Sequence, residues 1–163
     1  MKTLYIVRHA KSSWDDPRLD DFDRPLQKRG RKDAAVMGRR LKKTRFSPER
    51  IITSPAKRAH KTVKLMASEM NYSRDKIVRK RAIYEANVWT LLKLVRSQPD
   101  RFGSIMLAGH NPGMTAFTNY LAAAGIENIP TCGVAVIEFD CGSWKDVRRH
   151  GGKLVFFDFP KKK

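Results

Sequence analysis

The stretch LYIVRHAKSSW, residues Leu4–Trp14, determines how the rest of the chain is interpreted. Its first four residues, Leu4–Val7, are all apolar and run directly into Arg8 and His9. An apolar run without polar alternation is typical of a strand that is buried on both faces, as in a parallel sheet. Because arginine is seldom fully buried without a partner, the charged end of this strand points to a functional site.

Strands and helices alternate along the chain on the carboxyl side of this stretch. Apolar runs predict six strands, at Thr3–Arg8, Arg50–Thr53, Lys76–Lys80, Ser104–Gly109, Gly133–Phe139 and Lys153–Phe159. Helical spacing predicts four helices, at Gly30–Thr44, Ser54–Met70, Val88–Ser97 and Pro112–Ala124. This alternation predicts an α/β fold, a three-layer α/β/α sandwich with a largely parallel central sheet, and the last two strands are expected at the sheet edge.

The composition suits a globular protein with a strong positive charge. Its 163 residues are expected to form a single domain, residues 1–163, and 41% of them are hydrophobic. Lysine and arginine number 34 against 16 acidic residues, which gives a net charge of +18 and attracts acidic partners and polyanions. A nucleic-acid-binding domain is therefore the alternative from a different functional class, although no nucleic-acid motif supports it.

Hydropathy and cysteine content indicate the cellular compartment. No apolar run approaches the ~20 residues that a transmembrane helix needs, and the N-terminus lacks the pattern of a signal peptide. These features predict a cytoplasmic protein that has no membrane partner. Cys132 and Cys141 form no C-x-x-C pair and are expected to be reduced thiols.

Basic side chains follow three of the predicted strands. Arg8 and His9 close the first strand, and His110 comes directly after the fourth. Arg58 lies in the first turn of the helix that follows the second strand. Ligands of open α/β sheets bind beyond the carboxyl ends of the strands. The four side chains are therefore expected to meet at one edge of the sheet, around a common ligand.

The start of the second helix suggests what that ligand is. Ser54 offers an N-cap and Pro55 the first helical position, which places Lys57 and Arg58 in the first turn. Cations are disfavoured there, because the helix dipole already makes this end positive. A bound anion would remove the conflict, since helix N-termini bind phosphate. A guanidinium group can also donate two parallel hydrogen bonds to phosphoryl oxygens. The pattern therefore predicts a phosphoryl-transfer site.

Two histidines at one sheet edge also admit a metal site. His9 and His110 could hold a metal ion, but no cluster of carboxylates or thiols near them in the sequence completes a ligand set. The other two histidines, His60 and His150, lack placement at a strand end and are expected on the surface.

The motifs at these positions resemble those of the histidine phosphatase superfamily. Its members carry an Arg-His-Gly triplet after the first strand, a Ser-x-x-x-Arg-Ala-x-x-Thr segment and a later Gly-His pair. The matches here are Arg8-His9-Ala10, SPAKRAHKT at Ser54–Thr62 and Gly109-His110. The small size, with RHAKSSW, DRPLQKRG and GHNPGM, is most similar to the SixA-type phosphohistidine phosphatases. Ala10 departs from the usual glycine, and the missing mutase-type insertions argue against mutase activity.

The resemblance implies a reaction and a role for each residue. His9 would be the nucleophile that forms a phosphohistidine intermediate. Arg8, Arg58 and His110 would bind the phosphate oxygens and stabilise charge in the transition state. Glu85, in IYEANVW, is the best match to the family's general acid. The resemblance implies no cofactor and no metal ion.

The expected substrate is phosphohistidine on a protein. A compact domain without a lid leaves an open site that suits a phosphorylated side chain. The positive charge favours an acidic partner, such as a histidine phosphotransfer domain. Small phosphorylated metabolites are the alternative substrates. The sequence does not determine the physiological partner or the oligomeric state.

Overall fold

A computed structural model describes residues 1–162 and contains one mixed β-sheet with helices on both faces. The strands are β1 (Lys2–Arg8), β2 (Arg50–Thr53), β3 (Val78–Arg79), β4 (Ser104–Gly109), β5 (Val134–Phe139) and β6 (Gly152–Asp158). The helices of at least nine residues are α1 (Lys28–Lys42), α2 (Lys57–Glu69), α3 (Val88–Arg96) and α4 (Gly113–Ala122). In the described part of the chain, no helix has the length and apolarity that crossing a membrane requires.

The sheet has the strand order β3-β2-β4-β1-β5-β6. The four strands β3, β2, β4 and β1 are parallel to one another, whereas β5 runs antiparallel to both β1 and β6. Arg8, the last residue of β1, pairs with Gly109 at the end of β4, and Thr53 of β2 pairs with Ala108. The carboxyl ends of these three strands therefore lie side by side, which is the edge where the sequence predicts a ligand.

The side chains of β1 show why this strand is apolar throughout. Leu4 and Ile6 point into a core with α3 and α4, whereas Tyr5 and Val7 point into a second core with α1 and α2. All four are at most 1% exposed. Burying side chains of this size contributes ~1.5–3 kcal/mol each relative to exposure. The two cores make the three layers of the predicted sandwich, so the fold class is confirmed.

The start of α2 and the position of β5 differ from the sequence prediction. Ser54 is not the N-cap, because its backbone N–H donates to the carbonyl O of Ala108 and continues the pairing of β2 with β4. Helix α2 begins at Lys57 with Ala56 as its cap, and Pro55 lies outside the helix. The expectation for the last two strands was half wrong: β6 is at the edge, but β5 lies between β1 and β6.

Candidate active site

A cavity of about 590 Å³ opens at the carboxyl ends of β2 and β4. Its walls come from the loop before α1, the first turn of α2, the segment before α3 and the start of α4. The residues that line it are Asp21, Arg58, Tyr84, Glu85, Ala86, Asn87, Val88, His110, Asn111, Pro112, Gly113 and Ala116. Three of these, Arg58, Glu85 and His110, are site residues expected from the sequence.

His9 stands beside this cavity in a fixed orientation. Its ring centroid lies 5.2 Å from that of His110. The backbone is held on both sides, because His9 N donates to Gly109 O and His9 O accepts from Cys132 N, both at 3.0 Å. Its Nδ1 atom is 2.7 Å from the carbonyl O of Ala10, which can only accept, so Nδ1 carries the proton. The lone pair of His9 is therefore on Nε2.

Burial keeps both histidines of the site neutral. Desolvation lowers the pKa of His9 to about 3, and the positive charges of Arg58 and Arg8 act in the same direction. Desolvation and the charge of Arg58 lower the pKa of His110 to about 4. A neutral imidazole is the form that can act as a nucleophile.

His110 is oriented by a residue whose role the sequence did not reveal. The Nε2 atom of His110 lies 2.8 Å from the hydroxyl of Ser54, and both residues follow neighbouring parallel strands. The Nδ1 atom of His110 is buried and has no hydrogen-bond partner among the described residues. Ser54 therefore fixes one ring nitrogen and leaves the other for a further partner.

The two arginines are held from different sides. Arg8 donates from Nη1 to the carbonyl O of Ile129 at 2.8 Å, and desolvation lowers the pKa of Arg8. Arg58 is only 6% exposed, and its guanidinium donates to both the carbonyl O and the carboxylate of Asp21, at 2.6 Å and 2.9 Å. The Nε atoms of both arginines are buried without a hydrogen-bond partner among residues 1–162. Each guanidinium thus has unused donor capacity.

Asp21 is the centre of a network that joins the loop before α1 to the cavity. Besides Arg58, its carboxylate accepts from the hydroxyl of Tyr84 at 2.6 Å and from Arg24 at 2.9 Å. Partial burial alone would raise the pKa of Asp21, but the hydrogen bonds from Tyr84 and Arg58 outweigh it and lower the pKa to about 2. Asp21 is therefore a carboxylate at neutral pH, directly against the expected phosphate-binding arginine.

A second network ties α2 to β1. Thr62 is fully buried, and its hydroxyl donates to the carbonyl O of Arg58 at 2.7 Å. The hydroxyl oxygen of Thr62 also accepts from the backbone N–H of Ala10, at 2.9 Å. The Thr62 side chain therefore holds the backbone of Arg58 in a fixed position relative to Ala10, whose carbonyl group orients His9.

Glu85 lies in the same cavity as Arg58 and His110, and its side chain is exposed. Its backbone has φ = 58°, a left-handed conformation that is uncommon outside glycine and is often found at functional sites. Its placement allows a side-chain carboxyl group to reach a ligand in the cavity.

The remaining histidines lie outside this cavity. His150 is exposed, as expected from the sequence, but His60 is half-buried on α2. Among residues 1–162, no group of three or more His, Cys, Asp or Glu side chains is arranged to hold a metal ion.

Four residues of the site were missed in the sequence: Asp21, Ser54, Thr62 and Tyr84. The segment SPAKRAHKT begins with Ser54 and ends with Thr62, so the motif itself held the signal for these two. The signal for Asp21 was weaker. It belongs to five aspartates between Asp15 and Asp23, an acidic run in a chain of net charge +18.

Comparison with known proteins identifies the family and related folds. A family model for the histidine phosphatase superfamily (branch 1) matches residues 4–88. The chain is 32% identical over 158 residues to an uncharacterised chloroplastic protein of Arabidopsis thaliana, with 89% of this chain and 70% of that protein covered. A solved candidate phosphohistidine phosphatase SixA from Agrobacterium tumefaciens is 30% identical, with a TM-score of 0.81 and 96% of each chain covered.

A more distant structure shares the fold. The protein histidine phosphatase SixA solved with tungstate is 19% identical, with a TM-score of 0.82 and 97% of each chain covered. The family match spans 85 of the 163 residues, from position 4 to position 88, and includes the end of β1 and the start of α2. On this match, the chain belongs to the histidine phosphatase superfamily.

Proposed function

We propose that this protein hydrolyses phosphohistidine on a protein, through a phosphoryl intermediate on its own His9. Its superfamily and its likeness to SixA support phosphatase activity in general. The observation that carries the proposed mechanism is the hydrogen bond from Nδ1 of His9 to Ala10 O, at 2.7 Å. It leaves an unprotonated Nε2 on a neutral ring beside the cavity that Arg58 and His110 line.

The reaction proceeds in two displacements. Nε2 of His9 attacks phosphorus, and the bond between phosphorus and the substrate nitrogen breaks as the new P–N bond forms. The electron pair of the broken bond leaves with the substrate imidazole. Water then attacks phosphorus, and the P–N bond to His9 breaks to release inorganic phosphate. Each step is an in-line transfer whose charge lies on the nonbridging oxygens.

Arg8, Arg58 and His110 stabilise these oxygens. The unused guanidinium N–H groups of both arginines are charged donors, which form the stronger class of hydrogen bond. The hydroxyl of Ser54 lies 2.8 Å from Nε2 of His110, and Nδ1 has no hydrogen-bond partner among residues 1–162. We assign the donor role to Ser54, which places the proton of the neutral ring on Nδ1. His110 then acts as a neutral N–H donor to the phosphoryl group.

Exposed aromatic residues near the site favour a protein as the substrate. Trp89 is 66% exposed and follows Val88 in the cavity wall, and Trp14 on the loop before α1 is 73% exposed. Tryptophan is enriched at protein interfaces, where its large surface binds at small entropic cost. The cavity volume of about 590 Å³ supports a second candidate, a small phosphorylated metabolite, because sites of this size hold small ligands.

A substrate panel tests this proposal. We expect wild-type protein to release phosphate from a phosphohistidine peptide faster than from a phosphoserine peptide or a sugar phosphate. His9→Ala should lose turnover and acid-labile phosphoprotein, whereas the matched control His150→Ala should keep both. Turnover of His9→Ala near the wild-type rate would refute the mechanism. Preference for the sugar phosphate would establish the second candidate instead.

A further inference from the structure

A second depression lies on α2, outside the catalytic cavity. Its volume is about 300 Å³. The residues that line it come from the segment before α1, from α1 and from α2: Pro25, Leu26, Arg31, Lys57, His60, Lys61 and Lys64. We call this depression the basic groove. Its lining contains four lysine or arginine side chains and no acidic residue.

The lysines of the basic groove form a stripe along one face of α2. Lys57, Lys61 and Lys64 are spaced four and three residues apart, which places them on the same side of a helix. With a rise of 1.5 Å per residue, the stripe is roughly 10 Å long. Opposite charges at this spacing stabilise a helix, whereas like charges destabilise it by roughly 0.2–0.5 kcal/mol per pair.

No ion pair among residues 1–162 involves Lys57, Lys61 or Lys64, although Arg39 and Arg40 on the neighbouring helix α1 pair with Glu69 and Asp158. Further cations lie close by. Desolvation lowers the pKa of Lys64, and the charges of Lys61, Arg74 and Arg79 lower it further. Desolvation and the charges of Lys64, Arg79 and Arg74 lower the pKa of His60. The groove therefore concentrates positive charge that its own surroundings do not neutralise.

Residues that line the basic groove are adjacent in sequence to residues of the candidate active site. Lys57 directly precedes Arg58, which lines the catalytic cavity, and the two side chains point about 100° apart on the helix. Pro25 directly follows Arg24, which holds Asp21. A macromolecule whose phosphorylated side chain enters the catalytic cavity would thus extend toward the basic groove at the same end of α2.

We propose that the basic groove binds an acidic segment of the phosphorylated protein substrate. This inference rests on the proposed function and names the feature that its protein substrate must carry. Three carboxylates on one face of a substrate helix, four and three residues apart, would match the three lysines along the roughly 10 Å length of the stripe. Pro25 and Leu26 supply apolar surface between the charges.

The lining of the basic groove favours a protein over a nucleic acid. Single-stranded nucleic acids are bound by basic grooves in which aromatic side chains stack on the bases. No Trp, Tyr or Phe lines this groove in the described structure. Duplex binding depends on phosphate contacts from elements that fit a groove of the duplex, and no such motif occurs in the sequence.

Two phosphohistidine peptides test the proposal. One carries glutamates at spacings of four and three residues, and its twin carries glutamines. We expect kcat/KM to be about tenfold higher for the glutamate peptide at low ionic strength, since three exposed ion pairs each contribute modestly. The triple variant K57E/K61E/K64E should lose or reverse this preference. The control K32E/K42E/K43E changes the exposed lysines of the α1 region by the same charge and should retain it.

The outcomes separate this inference from the proposed function. Equal loss of preference in both variants would show that overall charge, not the basic groove, attracts the peptide, and would overturn the inference. If wild-type protein hydrolyses neither peptide, the proposed function fails, and anisotropy of the labelled, unphosphorylated glutamate peptide then tests the groove alone. Tighter binding of single-stranded RNA than of this peptide, lost in K57E/K61E/K64E, would assign the groove to nucleic acid and overturn the inference.

Discussion

The carboxylate of Asp21 lies 2.9 Å from the guanidinium of Arg58, so the arginine expected to bind an anion already faces one. The sequence placed Lys57 and Arg58 in an unfavourable position at the start of α2 and explained the conflict by a bound phosphate. The structure shows an anion of the protein itself beside Arg58, and phosphate binding by this arginine stays a prediction. Asp21 neutralises Arg58, whereas Lys57 points into the basic groove.

Asp21→Asn should strengthen the binding of oxyanions. The asparagine can still accept a hydrogen bond from Arg58 but no longer repels a dianion in the cavity. Removing one nearby charge in a partly solvated site changes binding by about 1 kcal/mol, or roughly fivefold. Inhibition by vanadate, measured against a generic aryl phosphate, should show this gain. Weaker inhibition would mean that Asp21 serves the site through the position of Arg58 rather than through its charge.

Ser54→Ala should lower kcat and also cost about 1–3 kcal/mol of stability, because the buried hydroxyl also accepts from the backbone N–H of Ala56. Without the hydroxyl, Nε2 of His110 loses its contact at 2.8 Å. The proposed Nδ1–H tautomer then has no partner in the protein that holds it. Removal of an oriented donor costs roughly a hundredfold to a thousandfold in rate, so we expect loss of its orientation to cost roughly tenfold to a hundredfold. Single-turnover formation of the phosphoprotein is the measurement. Ser68→Ala, which removes an exposed hydroxyl elsewhere on α2, is the control. Equal rates in the two variants would exclude a role for Ser54 in orienting His110.

The sequence was most informative where local pattern and function coincide. The apolar runs of β1 and β4 and the basic residues after them depend on neighbours in the chain, so Arg8, His9 and His110 could be placed at one sheet edge. The roles assigned to these residues, the single domain and the cytoplasmic location stay predictions.

Long-range contacts explain what the sequence did not reveal. Ser54 extends β2 because it pairs with Ala108, and this strand pairing competes successfully with the local preference of serine for a helix N-cap. Asp21 reaches Arg58 and Tyr84 from a loop without apolar periodicity, whose path no helix or strand pattern predicts. Asp21 and Ser54 each form a hydrogen bond to a residue more than 30 positions away in sequence. At such a separation, the spacing of residues does not predict a contact.

His9→Gln should make the protein less sensitive to acid. The pKa of His9 is about 3 in the folded protein and ~6.5 in an unfolded chain, so below pH ~6.5 the unfolded state takes up a proton that the folded state does not. The free energy of unfolding of the wild type therefore falls as the pH falls from 6.5, by roughly 2–3 kcal/mol down to pH ~4.5 from this residue. Urea unfolding at both pH values measures the difference. An identical pH dependence in the variant would show that His9 is not buried as a neutral group.

Glu85→Gln separates the two candidate substrate classes. An alkyl phosphate expels a strongly basic alkoxide, which needs a positioned acid, and such help contributes about a hundredfold to ten-thousandfold. Phosphohistidine expels an imidazole whose other nitrogen can already carry a proton. Glu85 lines the cavity with His110, and its role as the acid that protonates an alkoxide is the prediction under test. We therefore expect the variant to slow the cleavage of alkyl phosphates strongly and to spare the transfer of phosphate from phosphohistidine to His9.

Rapid-quench detection of phosphorylated His9 is the measurement for Glu85→Gln. Steady-state rates would mislead, because a carboxylate at this position can also activate the water of the second step. The matched control is Glu127→Gln, which removes an exposed carboxylate outside the cavity. If phosphoprotein formation from the two substrates slows by the same factor in Glu85→Gln, the residue does not protonate the leaving group. This conclusion follows because a leaving-group acid acts on an alkoxide but not on an imidazole, so its loss must slow the two reactions unequally. Glu85 would then be assigned to substrate binding.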